Sequence, residues 1–236
     1  MIISEKIIFL YITKMHKIHL IFIFTFILIY NFNYIQKSSA KTTFKGGVIT
    51  PSKSLHIKKP KLRTDLIYEF SKVKNRYSFG GGQLGTQLSN VCNLIASNIY
   101  IPVYKVALGS FDTHNNQQNT HRRLLRDLDK SLSSTVNALK EIGVWKETLI
   151  MTYSEFGRRA NENGSRGTDH GMSAPHFILG GNINGGIIGE YNDLSKLWNN
   201  NINYKVDYRS LYEFVLREHF NLKNNPFSKF ENKLIV

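Results

Sequence analysis

One stretch restricts the possible folds of this chain more than any other. From Asn119 to about Ile142, Leu124, Leu125, Leu128, Leu132, Val136, Leu139 and Ile142 recur at helical spacing, while Arg122, Arg123, Arg126, Asp127, Lys130 and Lys140 fill the other side. This is the pattern of an amphipathic helix lying on a core, and Gly143 is the residue type that closes helices in a left-handed conformation. β-rich runs flank it. Ile99 to Leu108 carries apolar Val103, Val106 and Leu108, and Thr148 to Tyr153 is apolar on both faces, as a buried parallel strand is. Strand, helix, strand predicts a right-handed crossover and an α/β domain with a mostly parallel sheet. Gln83 to Asn98, with Leu84, Leu88, Val91, Leu94 and Ile95 in register, predicts a second covering helix. Ala174 to Leu179 is a further candidate strand, and Tyr208 to His219 a closing helix with Leu211, Phe214, Val215 and Leu216 inward.

The net charge of +14 belongs mostly to one end of the chain. Residues 1–63 hold 11 Lys and Arg against the single acid Glu5, a surplus of 10, which leaves 4 of the +14 for the rest. A nucleic-acid protein carries its basic face on the folded domain, so this distribution argues against that class. The lone Cys92 has no intramolecular disulfide partner and falls on the apolar side of the Gln83 to Asn98 helix, as a buried structural thiol does.

Leu20 to Tyr30 is an unbroken apolar run, preceded by Lys14 and Lys17 and followed by Ser38-Ser39-Ala40. Basic flank, apolar core and small residues read as a cleavable leader over residues 1–40, implying export to the periplasm or envelope. Extension through Asn31 and Asn33 to Ile35 makes an uncleaved anchor the alternative, and this segment is then the only membrane contact. Met15 opens a short basic stretch directly before the run, so it is an alternative start that would leave residues 1–14 as upstream sequence. Residues 41–63, rich in Lys, Ser, Thr, Gly and Pro and without periodicity, read as a basic linker into a domain spanning 64–236.

In a parallel sheet, ligands bind just outside the carboxyl ends of the strands. Polar loops follow both predicted strands there: Gly109 to Gln117, with Asp112 and His114, and Ser154 to Arg159, with Glu155 and Arg158. A third loop, Asn163 to Gly171, carries Asp169 and His170 and leads into the Ala174 segment. Asp112, His114, Glu155, Asp169 and His170 together make a mixed nitrogen and oxygen donor set. That set suits a divalent metal, zinc first, then manganese or iron, and is too rich in nitrogen for a calcium or magnesium cage. Arg158, Arg159 and Arg166 could receive the anionic oxygens of a small ester substrate. Each residue also has an ordinary role open to it: Asp112 or Thr113 as a helix cap, Glu155 with Arg158 as a surface ion pair, Asp169 orienting His170 rather than binding metal. His121 and His176 read as structural histidines.

The pieces G-S-F-D-T-H-N-N-Q, T-Y-S-E-F-G-R-R, N-E-N-G-S-R-G-T-D-H-G and A-P-H-F-I-L-G-G together resemble the domain of unknown function 1501 family, grouped with the alkaline phosphatase and sulfatase superfamily. The resemblance runs from about Phe79 to Phe220 and implies a three-layer α/β/α sandwich and an exported metal-dependent hydrolase of phosphate or sulfate esters. By position, Asp112, His114 and His170 look like the ligands of one metal. Ser154-Glu155 stands where superfamily enzymes place an Asp-His pair for a second. Glu155 and Arg158 are then the candidate catalytic residues, Glu155 also a ligand. The region Lys41 to Lys61 has Gly46-Gly47 but neither a following strand pattern nor a nucleophile, and the chain is about half the family's usual length. An N-terminally shortened member is therefore expected, with a degenerate metal- or anion-binding envelope protein, or a gene fragment, as the alternatives.

Overall fold

The structure, a computed structural model, describes residues 5–12, 42–45, 48–51, 70–99 and 101–230. Most of the expected leader and linker, including the run Leu20 to Tyr30, lies outside the described residues. Among the described residues no helix is long and apolar enough to cross a membrane. The chain divides into a larger unit, Met1–Met15 with Val73–Val236, and a smaller one, His16–Lys72.

The larger unit opens with strand β1 (Glu5–Ile12). In the smaller unit β2 (Thr42–Lys45) and β3 (Val48–Pro51) pair antiparallel, with only Gly46 and Gly47 between them in sequence, a pair suited to a two-residue hairpin connection. The larger unit continues with helix α1 (Gly82–Ala96), β4 (Val103–Gly109), helix α2 (Gln117–Ile142) and β5 (Thr148–Tyr153). Two short strands, β6 (Gly157–Arg158) and β7 (His170–Gly171), precede β8 (Ile178–Gly180) and helix α3 (Tyr208–Phe214).

The main sheet has the order β4-β1-β5-β8, and every pairing in it is antiparallel. This overturns the expected mostly parallel sheet and three-layer sandwich. The physical reason is the placement of β1. Strands β4 and β5 do run in the same direction, as a crossover through α2 requires, but β1 stands between them and opposes both. The candidate strand Ala174 to Leu179 is also shorter than expected, since only Ile178–Gly180 joins the sheet.

The helices follow the apolar spacing. In α1, Leu84, Leu88, Cys92 and Ile95 are fully buried, and they meet Leu124, Leu128, Leu132 and Leu139 of α2 in one core with Ile150 of β5. Burial pushes the Cys92 thiol up to about 12, which makes it an inert packing group. Gly81, at φ 99, lets the start of α1 approach α2: a Cβ there would stand 2.1 Å from Ser131 Oγ. Leu149 and Met151, neighbours of Ile150 on the opposite face of β5, pack instead with Phe214 and Val215. Strand β5 is thus covered on both faces, which explains why it carries no polar alternation.

Helix α3 is capped by Asp207, whose carboxylate accepts from the Arg209 N–H at 2.9 Å, and it passes into a wider turn at Val215–His219. Burial holds the His219 imidazole below its usual range. A group whose folded pKa is depressed stabilises the fold fully above its unfolded value and less as pH falls through that value, because only the unfolded chain takes the proton freely. Thermal unfolding should therefore show a midpoint that drops from pH 7.5 to pH 5.5, and a smaller drop in His219→Gln. An identical drop in the variant would remove His219 from the account.

Candidate metal centre

Register decides where the polar loops meet. Gly109, the last residue of β4, lies opposite Glu5, and Tyr153, the last of β5, lies opposite Ile7. Both strands therefore end at the same edge of the sheet, two β1 positions apart. Strand β8 runs against β5, with Leu149 opposite Gly180 and Met151 opposite Ile178, so the segment leading into it arrives at that edge too. The Thr152 N–H donates to the Phe177 carbonyl at 3.0 Å and continues the pairing.

The loop after β4 is held down by Phe111, which is buried, and by His121 of α2, whose Nε2 lies 2.8 Å from Thr113 Oγ1 with its ring edge-on to Phe111 at 5.3 Å. His121 is thus the structural histidine expected. Neither Asp112 nor Thr113 caps α2; the cap position belongs to Asn116, without a side-chain hydrogen bond. The loop after β5 turns into β6, which pairs with β7 so that Gly157 faces Gly171 and Arg158 faces His170. At Gly157 a Cβ would stand 2.0 Å from the Ser173 carbonyl oxygen, so this pairing tolerates no side chain there.

Asn163 and Gln117 tie the third loop to the first. Asn163 Nδ2 donates to the His114 carbonyl at 3.0 Å while its Oδ1 accepts from the Ser165 and Gly167 N–H groups. Gln117 Oε1 accepts from both the N–H and the hydroxyl of Thr168. Gly167 lies against the His114 backbone, where a Cβ would be 2.4 Å from the carbonyl carbon.

These ties bring three side chains to one point. His170 Nε2 is 2.7 Å from Asp112 Oδ1, His114 Nε2 is 3.0 Å from the same oxygen, and the two imidazole nitrogens are 3.3 Å apart. Among the described residues, Asp112, His114 and His170 are the one set of three His, Cys, Asp or Glu side chains whose ligand atoms lie within 4.8 Å of one another. In a tetrahedral site with bonds of about 2.0–2.2 Å, neighbouring ligand atoms stand about 3.3–3.6 Å apart, so this triangle is slightly tighter than an ion would make it. An Nε2–H on either ring donates to Asp112 Oδ1, whereas with both rings neutral and carrying their proton on Nδ1 the three atoms are all acceptors, as a metal site requires. The hydrogen bond with His170, helped by the charge of both imidazoles, holds Asp112 below the usual carboxylate range. The side chains of His114, His170 and Asp112 are 49 %, 45 % and 37 % exposed, so as ion pairs they add little to stability, while a ligand reaches them directly.

The other expected residues lie around this point. Asp169 Oδ1 is 3.6 Å from His114 Nδ1, so the ring it neighbours is His114 rather than the adjacent His170. Glu155 is exposed and is not among the converging atoms. Arg158 makes no ion pair with it; its guanidinium donates to the Thr168 and Phe111 carbonyls. Burial draws that guanidinium below its usual range, against the opposing pull of Asp112 and Asp169. Phe156 stacks on the His170 ring at 3.8 Å and 11°. Asn163, Gln117 and Phe156 were not legible as site residues, since nothing in their spacing marks them. The loop glycines were the available signal.

No curated protein and no solved structure matches this chain. The family described as "Protein of unknown function (DUF1501)" matches residues 97–220, a span that is more than half of the 236 residues and contains all three loops. On that match, the chain belongs to the DUF1501 family.

Proposed function

We propose that this protein is an exported metal-dependent hydrolase of small phosphate or sulfate esters, with one divalent ion, zinc before manganese or iron, held by Asp112, His114 and His170. The observation that carries the reading is the convergence of a carboxylate oxygen and two imidazole nitrogens within 3.3 Å of one another, on loops from two strand ends. Two nitrogens and one oxygen match three-ligand sites that keep a position open for water or substrate. Such an ion, when bound, polarises a phosphoryl or sulfuryl oxygen and lowers the pKa of a water. Asp169 is suited to orient the His114 ring through Nδ1. Arg159 and Arg166, both exposed beside the cluster in sequence, are free of the carbonyl contacts that engage Arg158 and suit the anionic oxygens of a substrate. The apolar run Leu20 to Tyr30 supports export.

A second reading, a metal- or anion-binding envelope protein without turnover, is favoured by the position of Glu155 outside the converging atoms. Both are tested on the purified full chain by metal analysis and by assay with p-nitrophenyl phosphate and p-nitrophenyl sulfate. The expected result is one bound ion, turnover abolished by a chelator, and affinity for zinc lowered by at least about 100-fold in His170→Ala, since removing a ligand costs no less than removing a ligand's outer-shell support. A bound ion without turnover selects the second reading. A folded chain that takes up no ion sinks both as metal proteins.

A further inference from the structure

One side chain that touches all three loops at the site is not among the three converging ones. Arg158 donates one arm of its fork to the carbonyl of Phe111, the residue before Asp112, and the other to the carbonyl of Thr168, two residues before His170. Its own backbone sits opposite His170 in the β6-β7 pairing. Its guanidinium carbon stands 5.2 Å from the centre of the Phe156 ring, whose plane lies against His170 at 3.8 Å. Every loop that supplies or flanks the cluster is therefore in contact with this one residue, and both arms of its fork are engaged by backbone oxygens. A planar fork with fixed donor directions bridges two carbonyls at a set spacing, whereas the ammonium of lysine, a point charge whose three donors rotate on a flexible stem, does not fix that spacing.

We infer that Arg158 is a positioning residue: it sets the distance between the Asp112 loop and the His170 strand by bridging the Phe111 and Thr168 carbonyls, and holds the His170 ring through Phe156. This use of Arg158 differs from anion binding. Its consequence for an ion rests on the proposed metal reading, but the positioning itself does not.

The test uses the full chain without added metal and reads the His170 ring protons by NMR, since a ring stacked 3.8 Å from Phe156 carries its ring-current shift. Arg158→Lys, which keeps the charge, is expected to move those resonances toward unshifted histidine values, while Arg159→Lys leaves them in place. Zinc titration of the same proteins should show affinity reduced by about 10–100-fold in Arg158→Lys alone, the usual effect of disturbing a ligand's support. If Arg158→Lys does not fold by circular dichroism, Arg158→Gln is read the same way. Retention of the His170 shift in the folded variant, together with weakened binding of inorganic phosphate, would make Arg158 an anion receptor and overturn the inference. A wild-type chain that binds no zinc overturns the metal reading alone, because the ring shift still decides the positioning role.

Discussion

A chain that begins at His16 is expected to lose cooperative thermal unfolding altogether. Strand β1 lies inside the sheet, with seven residue positions paired to β4 and six to β5, and without it those two strands share no partner. An unmade backbone hydrogen bond that leaves a buried group unsatisfied costs about 1–3 kcal/mol. Several such losses exceed the about 5–15 kcal/mol by which a domain is normally stable. Circular dichroism melts of residues 1–236 and 16–236 make the comparison, and matching midpoints would show that β1 contributes nothing. The same strand creates a conflict that is chemical rather than conformational. A leader cleaved near Ala40 would remove β1 with it, so a processed chain and this sheet exclude one another. Mass spectrometry of the N-terminus of the recovered chain distinguishes them: an end at Lys41 dispenses with the strand, whereas an intact Met1 end in the soluble fraction is consistent with it.

Gly167→Ala is expected to weaken zinc binding by about 10–100-fold while leaving the helical signal intact. The added Cβ would meet the His114 carbonyl carbon at 2.4 Å, its oxygen at 2.5 Å and the Asn115 nitrogen at 2.8 Å. These are backbone atoms and cannot rotate aside, so the loop carrying His114 must separate from the loop that precedes His170. The hydrogen bond from Asn163 to the His114 carbonyl is strained by the same movement, and the 3.3 Å approach of the two imidazoles is lost. Gly164→Ala is the control. It lies three residues away in the same loop with nothing within 4 Å of its would-be Cβ, and should bind zinc as the parent does. Equal affinity in the two variants would mean that the contact between these loops does not shape the cluster.

The helices, the two flanking strands and a set of five candidates that contains the three converging residues were readable from the chain alone. Leucines at three and four residue intervals report a helix because the period is a local property of the backbone, and α2 ends at Gly143 with φ 88 as its closing residue predicted. The buried Cys92 and the structural His121 follow from the same local logic. Which strands pair is a non-local matter. The crossover between β4 and β5 carries the correct relative direction of those strands but not the neighbour between them, because Glu5–Ile12 falls within the 1–40 segment whose basic flank and apolar run read as a leader. The direction of β8 matters more for the site. In a parallel sheet a loop entering a strand arrives at the edge opposite to a loop leaving one; only the antiparallel run of β8 brings His170 to the edge where β4 releases Asp112 and His114.

The sequence by itself therefore supplied five candidates, Asp112, His114, Glu155, Asp169 and His170, since nitrogen and oxygen donors are a matter of residue type. Tertiary structure decided which of the candidates meet, set Asp169 beside His114 instead of His170, left Glu155 exposed, and turned Arg158 inward onto two carbonyls. The reason is physical. Donor chemistry is carried by single residues, whereas distances of 2.7–3.3 Å between side chains 56 and 58 positions apart depend on strand register, loop contacts and the absence of a Cβ at Gly167.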